Sequence, residues 1–230
     1  MNMTFINLLL KKMQLSKDEK SNDWYSKLLN DKNFNSNEPY NYDKLINYFT
    51  AITYDLDHLK PFELLAGIFE FTKAFGQLST ALSMGFSDIT SKVEIWRSLF
   101  KDFYRDGKDI QSVMITEVMI GIHELNGENN SSFGHKKNSP YQNYTSGTRT
   151  LLRLSWFLNF LYTVFNNLLE TNEPFNNCVT NAYDIVLAPN HSWLVRKGAG
   201  LALSFAPKDR KNALKIFFGK FYLLFLKKRF

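Results

Sequence analysis

Gly147-Thr-Arg-Thr-Leu-Leu-Arg-Leu-Ser-Trp-Phe-Leu-Asn-Phe-Leu-Tyr-Thr-Val-Phe165 is the stretch that decides the fold class. Leu154, Phe157, Leu158, Leu161 and Phe165 recur at spacings of three and four, the period of a helix with one buried face. The spacing predicts a helix over Gly147–Leu169. Arg149 and Arg153 lie one turn apart on it, so their guanidinium groups share a face. Like charges in that arrangement repel by roughly 0.2–0.5 kcal/mol even in solvent, and beside a core they also lose hydration. An anion between them removes both costs, and the planar arginine fork suits phosphate or carboxylate oxygens.

The same period extends on both sides of this segment. Tyr42–Leu59, Pro61–Phe75, Gly76–Phe103, Asp109–Leu125, Pro174–Leu187, His191–Phe205 and Lys208–Leu226 all read as helices. Pro61 stands at a first helical turn, Asp109 is placed as a cap, and Gly107 marks a stop. Pro39, Pro140, Pro174, Pro189 and Pro207 fall between the runs and interrupt none. No segment alternates like a strand. The expectation is an all-α domain of about eight helices spanning 42–230. Residues 1–41 precede it as a polar, partly disordered extension with one short helix near Trp24–Leu29. An Asn/Ser/Gly-rich loop follows at 126–146.

A chain of 230 residues, 44% hydrophobic and carrying 21 phenylalanines, can bury a large core or enclose an apolar cavity. The net charge of +6 is unevenly spread. The segment from Pro207 onward holds eight Lys/Arg against Asp209 alone, so the remainder is close to neutral. A basic protein often binds nucleic acid, but basicity confined to a tail makes that partner a secondary expectation. Cys178 is the single cysteine, which excludes an internal disulfide and a cysteine metal cluster. The apolar run Phe5–Leu10 lacks a basic-first leader and a cleavage site, and no run reaches the ~18–20 residues of a membrane span. The expectation is a cytoplasmic protein.

Two further elements carry polar groups that could work together. Ser87-Asp-Ile-Thr-Ser-Lys-Val93 places Asp88 and Lys92 one turn apart. Taken alone they form an ordinary surface ion pair worth ~0.3–0.5 kcal/mol. In a site, the carboxylate would accept from an amide or hydroxyl and the ammonium would meet a phosphate. His191-Ser-Trp-Leu-Val-Arg-Lys197 starts a helix at His191, where a histidine usually serves as a cap or a satisfied core residue. There is no Gly-rich phosphate loop, no His-Glu-x-x-His and no Gly-x-Ser-x-Gly, so neither an enzyme nor a metal site is indicated.

These three motifs, in this order, resemble the glycolipid transfer protein superfamily, and within it the ceramide-1-phosphate transfer branch. Tyr183 and the Ala206-Pro207 step fit the same pattern, and the resemblance covers roughly residues 42–217. It implies a two-layer helical sandwich enclosing an apolar tunnel for the chains of one sphingolipid. By position, it implies that Asp88 binds the sphingoid amide and hydroxyl, that Lys92, Arg149 and Arg153 hold the phosphate, and that His191 donates to the amide carbonyl. The glycolipid branch is similar but has tryptophan where Arg149 stands and asparagine where Lys92 stands. Here a sugar platform is exchanged for cations, which points to a phosphorylated headgroup.

The resemblance implies a monomeric lipid carrier or sensor with no catalysis and no cofactor, in transient contact with a membrane surface. The C-terminal Phe217–Phe230, which pairs aromatic with basic residues, is a candidate for that contact. It stands where the family has a long final helix. Two alternatives remain open at this level: glycolipid transfer on the same fold, and a basic helical module binding nucleic acid or protein.

Overall fold

The computed structural model of the chain describes residues 24–53, 59–104, 109–119 and 144–219. The leader before Trp24, the Gly107 stop, nearly all of the 126–146 loop and the tail beyond Gly219 lie outside the described residues, as do the ends of the helices expected to reach Leu125 and Leu226; the helix expected to reach Leu59 ends at Ile52, and Leu59 is not helical. Every regular element among the described residues is helical. The α-helices are α1 Trp24–Leu29, α2 Tyr42–Ile52, α3 Pro61–Leu78, α4 Thr80–Gly85, α5 Ser87–Asp102, α6 Ile110–Met119, α7 Gly147–Glu170, α8 Phe175–Ala182, α9 Trp193–Ser204 and α10 Arg210–Phe218. A 3₁₀ turn at Asp31–Phe34 follows α1.

Helix α3 begins at Pro61 as expected, and thirteen of its eighteen residues are buried. A helix covered on all sides is a central one, and α3 packs against α1, α2, α4, α5 and α10. It meets α7 through phenylalanine rings: Phe71 on Phe165 at 5.6 Å and Phe75 on Phe160 at 6.2 Å. Phe217 of α10 closes the cluster, its ring 5.1 Å from both Phe75 and Phe165. Many of the 21 phenylalanines therefore build the core between α3 and α7. Asp109 caps α6 as read, its carboxylate accepting from the Ser112 N–H at 2.7 Å. Among the described residues α10 runs to Phe218, with Gly219 as its C-cap at a φ of 52°, a conformation that side chains with a β-carbon disfavour.

Residues 24–34 dock on α3 and α5. Trp24, Leu28 and Phe34 are buried, and Arg97 of α5 gathers the segment. Its guanidinium donates to the Leu28 carbonyl at 2.9 Å, pairs with Asp31 at 2.7 Å and lies 4.3 Å from the Phe34 ring centroid.

Two departures from simple helical periodicity shape the site. The expected run Gly76–Phe103 is broken twice, by extended backbone at Ser79 and by a non-helical turn at Phe86. The second break turns Phe86 into the core, 4.4 Å from Phe75, and restarts the chain as α5 with Asp88 in its first turn. The expected Pro174–Leu187 helix ends as α at Ala182, widens to a π-helical turn over Tyr183–Leu187 and tightens to 3₁₀ over Ala188–Asn190. Such local changes of winding re-aim side chains.

Helix α9 is the most loosely held wall, with Leu203 as its buried residue. A β-carbon at Gly198 or Gly200 would meet nothing within 4 Å. Because glycine in a helix interior costs about 0.8–1 kcal/mol relative to alanine, Gly198→Ala and Gly200→Ala are each expected to stabilise the protein by about that amount. Urea denaturation would show a raised midpoint with an unchanged slope.

Candidate functional site

A cavity of about 670 Å³ opens between α4, α5, α7 and the segment from the π-helical turn into α9. Leu82, Phe86, Phe157, Phe160, Leu187 and Leu203 make much of its wall apolar. Asp88, Lys92, Arg153 and His191 supply the charged and titratable part of the lining. Four of the five residues singled out from the sequence thus share one cavity. Arg149 is not among the lining residues; it is half-buried one turn nearer the start of α7 and has interactions of its own.

Lys92 and Asp88 form the one-turn pair expected from their spacing, Nζ to Oδ1 2.5 Å. The two ends differ sharply in environment. The Lys92 side chain is 8% exposed and that of Asp88 is 73% exposed. The ammonium is therefore pinned at the cavity wall by a carboxylate that faces solvent. A second anion entering beside Lys92 would compete with Asp88 for it. Arg153 is different, because among the described residues its guanidinium has no hydrogen-bond or ion-pair partner. An arginine fork lining an apolar cavity with no partner is the strongest anion-seeking group here.

His191 does not cap α9. That role belongs to Ser192, whose hydroxyl accepts from the Val195 N–H. Serine is the better cap by chemistry, and its place directly before Trp193 is a signal that the sequence offered. His191 is left free to turn back to the π-helical turn, where its Nδ1 lies 3.0 Å from the Tyr183 hydroxyl. Burial holds the imidazole pKa below its ordinary 6.5; the Asp88 carboxylate opposes this, and the Lys92 and Arg196 cations add to it. Burial, with Asp184 nearby, raises the Tyr183 phenol despite Arg196. Both shifts favour the neutral rings, and the phenol and Nδ1 are joined by one hydrogen bond whose direction follows the imidazole tautomer.

A lowered histidine pKa has a definite sign in stability. Between the folded pKa and 6.5 the unfolded chain binds the proton and the folded chain does not, so stability falls as pH drops through that window. The lipid-free protein is expected to lose urea resistance from pH 7 toward pH 5, and His191→Gln to lose less. Parallel pH profiles for the two proteins would show that His191 is not the titrating group.

Sequence reading missed the Tyr183–His191 bond, because a contact across a change of helix winding leaves no local pattern. It also missed Trp156, which lines the cavity one turn beyond Arg153 on the same helix face. The three-residue spacing was the available signal.

Comparison with known proteins places this geometry in a family. The profile of the family described as Glycolipid transfer protein (GLTP) matches residues 60–218. A ceramide-1-phosphate transfer protein from Danio rerio is 29% identical over 145 residues, covering 62% of this chain and 64% of that protein's length. The human ceramide-1-phosphate transfer protein in complex with 2:0 ceramide-1-phosphate superposes with a TM-score of 0.65 at 19% identity, over 81% of this chain and 86% of that one. A fungal glycolipid transfer protein superposes with a TM-score of 0.56 at 18% identity, over 84% and 82% of the two chains. The all-helical architecture is that of these structures, and the chain belongs to the glycolipid transfer protein family.

Proposed function

We propose that the protein takes up a phosphorylated sphingolipid of the ceramide-1-phosphate type and carries it between membranes. The observation that carries this reading is Arg153, without a hydrogen-bond or ion-pair partner among the described residues, in the same apolar cavity lining as the buried Lys92 ammonium. A phosphomonoester brings about −1.5 to −2 charges, and the two cations balance it once Lys92 is drawn partly from Asp88. Asp88, exposed at its edge, is placed to accept from a sphingoid amide or hydroxyl. With Nδ1 accepting the Tyr183 hydroxyl proton, the other ring nitrogen of His191 carries a proton to donate to an amide carbonyl. No bond is made or broken by such a protein.

The apolar wall serves the hydrocarbon. At ~0.8 kcal/mol per methylene, a fifteen-carbon chain costs on the order of 12 kcal/mol in water. A carrier must cover that chain before the lipid leaves the bilayer. Delivery to a membrane is supported by α9 and its C-cap, which expose Trp193, Leu194, Leu201 and Phe205, with Arg196 and Lys197 between them, beside the cavity. Exposed tryptophan and leucine with interspersed basic residues suit an anionic interface. Among the described residues no helix is long and apolar enough to cross a membrane.

Relatives on this fold are named for both ceramide-1-phosphate and glycolipid transfer, so the headgroup contacts must choose the cargo. Equal amounts of ceramide-1-phosphate and galactosylceramide, offered in vesicles and read by native mass spectrometry of the recovered protein, test this. Preference for the phosphate is expected. A preference for the sugar lipid would overturn the headgroup assignment, and recovery of neither would overturn the carrier reading.

A further inference from the structure

Glu117 has a role that neither the motifs nor the cavity reveals. Its side chain lies in α6, far from any charged partner in sequence, and it is 0% exposed. Four donors converge on its two oxygens. The Tyr144 hydroxyl and the Gly147 N–H reach Oε1 at 2.6 and 2.5 Å. The Ser146 hydroxyl and the Thr148 N–H reach Oε2 at 3.1 and 2.9 Å. A carboxylate supplies the four lone-pair sites that this arrangement needs, whereas an amide would turn one donor against another. Ser146 in turn accepts from the Arg149 N–H at 3.2 Å. The first three orphan N–H groups of α7 are thus satisfied by Glu117 and Ser146 together.

The network also reaches α5. Because the Tyr144 proton is given to Glu117, the Tyr104 hydroxyl donates to Tyr144, at 2.8 Å. Tyr104 follows directly on α5, the helix that carries Asp88 and Lys92. At the same place the start of α7 packs tightly on α5. A β-carbon on Gly147 would sit 3.0 Å from Leu99 and 3.1 Å from the Trp96 ring. Glu117 therefore holds the start of the arginine helix in one register against the helix of the aspartate–lysine pair. Its charge also occupies the positive end of the α7 dipole, which leaves anion binding to side chains further along.

We infer that Glu117 is a positioning residue for headgroup selectivity: through the start of α7 it sets where Arg153 stands relative to Lys92, and so whether both reach one phosphate. This rests on the proposed phosphate reading. Its loss should loosen α7 at the end nearer the arginines and leave the phenylalanine contacts between α3 and α7 in place.

The test compares ceramide-1-phosphate with uncharged ceramide, both presented in vesicles, for the full chain and for Glu117→Gln. Circular dichroism verifies the fold. The variant is expected to bind ceramide-1-phosphate about tenfold more weakly or worse, with ceramide binding changed by less than about threefold. That conversion corresponds to about 1.4 kcal/mol or more. Equal losses for both lipids would mark a merely structural role and overturn the inference, as would no loss for either.

If Glu117→Gln does not fold, Tyr144→Phe decides, since it keeps the carboxylate and removes one donor. A lowered preference for the phosphate supports the inference, and a ratio equal to the parent's overturns it. A parent chain that binds both lipids equally defeats the phosphate reading first, and is told apart because no variant is involved.

Discussion

Arg153→Leu is expected to lower transfer of ceramide-1-phosphate between vesicles by on the order of 30-fold to 4,000-fold. Leucine keeps most of the apolar stem and removes the fork. Truncating one partner of a desolvated, hydrogen-bonded charge pair costs about 2–5 kcal/mol, and 1.4 kcal/mol is a factor of ten. The loss should fall mainly on the phosphorylated lipid, with ceramide uptake retained. The circular dichroism spectrum should persist, because Arg153 has no partner among the described residues to lose. Arg149→Leu should weaken transfer less, since Arg149 stands outside the cavity lining and is engaged elsewhere. Unimpaired transfer by Arg153→Leu would remove the headgroup assignment. An effect of Arg149→Leu larger than that of Arg153→Leu would show that the lipid-loaded site draws α7 into a different setting.

The second large effect is on stability. Phe75→Ala is expected to destabilise the protein by about 3–5 kcal/mol, the usual cost of deleting a buried phenylalanine ring. Phe75 is 0% exposed and touches three other rings, Phe86 at 4.4 Å, Phe217 at 5.1 Å and Phe160 at 6.2 Å. Ring pairs in such arrangements add about 0.5–1.5 kcal/mol beyond area burial. Against a total stability of about 5–15 kcal/mol, this change removes from about a fifth to the whole of the margin. A fall of the urea midpoint by less than about a fifth of its value would mean that Phe86 or Phe160 relaxes into the space. Phe86 and Phe160 also line the cavity, so the same variant should alter the apolar wall and its capacity for hydrocarbon.

The fold class was legible because it rests on local periodicity. The three-and-four spacing over Gly147–Phe165, the proline at Pro61 and the cap at Asp109 each act within one turn of chain, and each appears in the structure where the sequence places it. The breaks at Ser79 and Phe86 were not legible. Leu78, Ala81, Leu82 and Ile89 keep the helical spacing across them, and the chain bends because Phe86 gains more by burial among Phe75, Phe157 and Phe160 than by continuing the helix. Position alone left His191 open as a cap, a core residue or a headgroup contact; in the structure Ser192 caps α9 and His191 turns to Tyr183.

By itself the sequence determined the all-helical class and the one-turn pair of Asp88 and Lys92. Motif resemblance then supplied the candidate set Asp88, Lys92, Arg149, Arg153 and His191. Only the tertiary structure decided that Asp88, Lys92, Arg153 and His191 share a cavity while Arg149 stands outside its lining, and that a buried glutamate from α6 ties α7 to α5. The physical reason is one of range. Helical spacing is written in neighbours three and four residues apart, whereas the contact of α7 with α5 runs through Tyr104 donating to Tyr144, and Tyr144 and Gly147 donating to Glu117, groups that packing alone brings together.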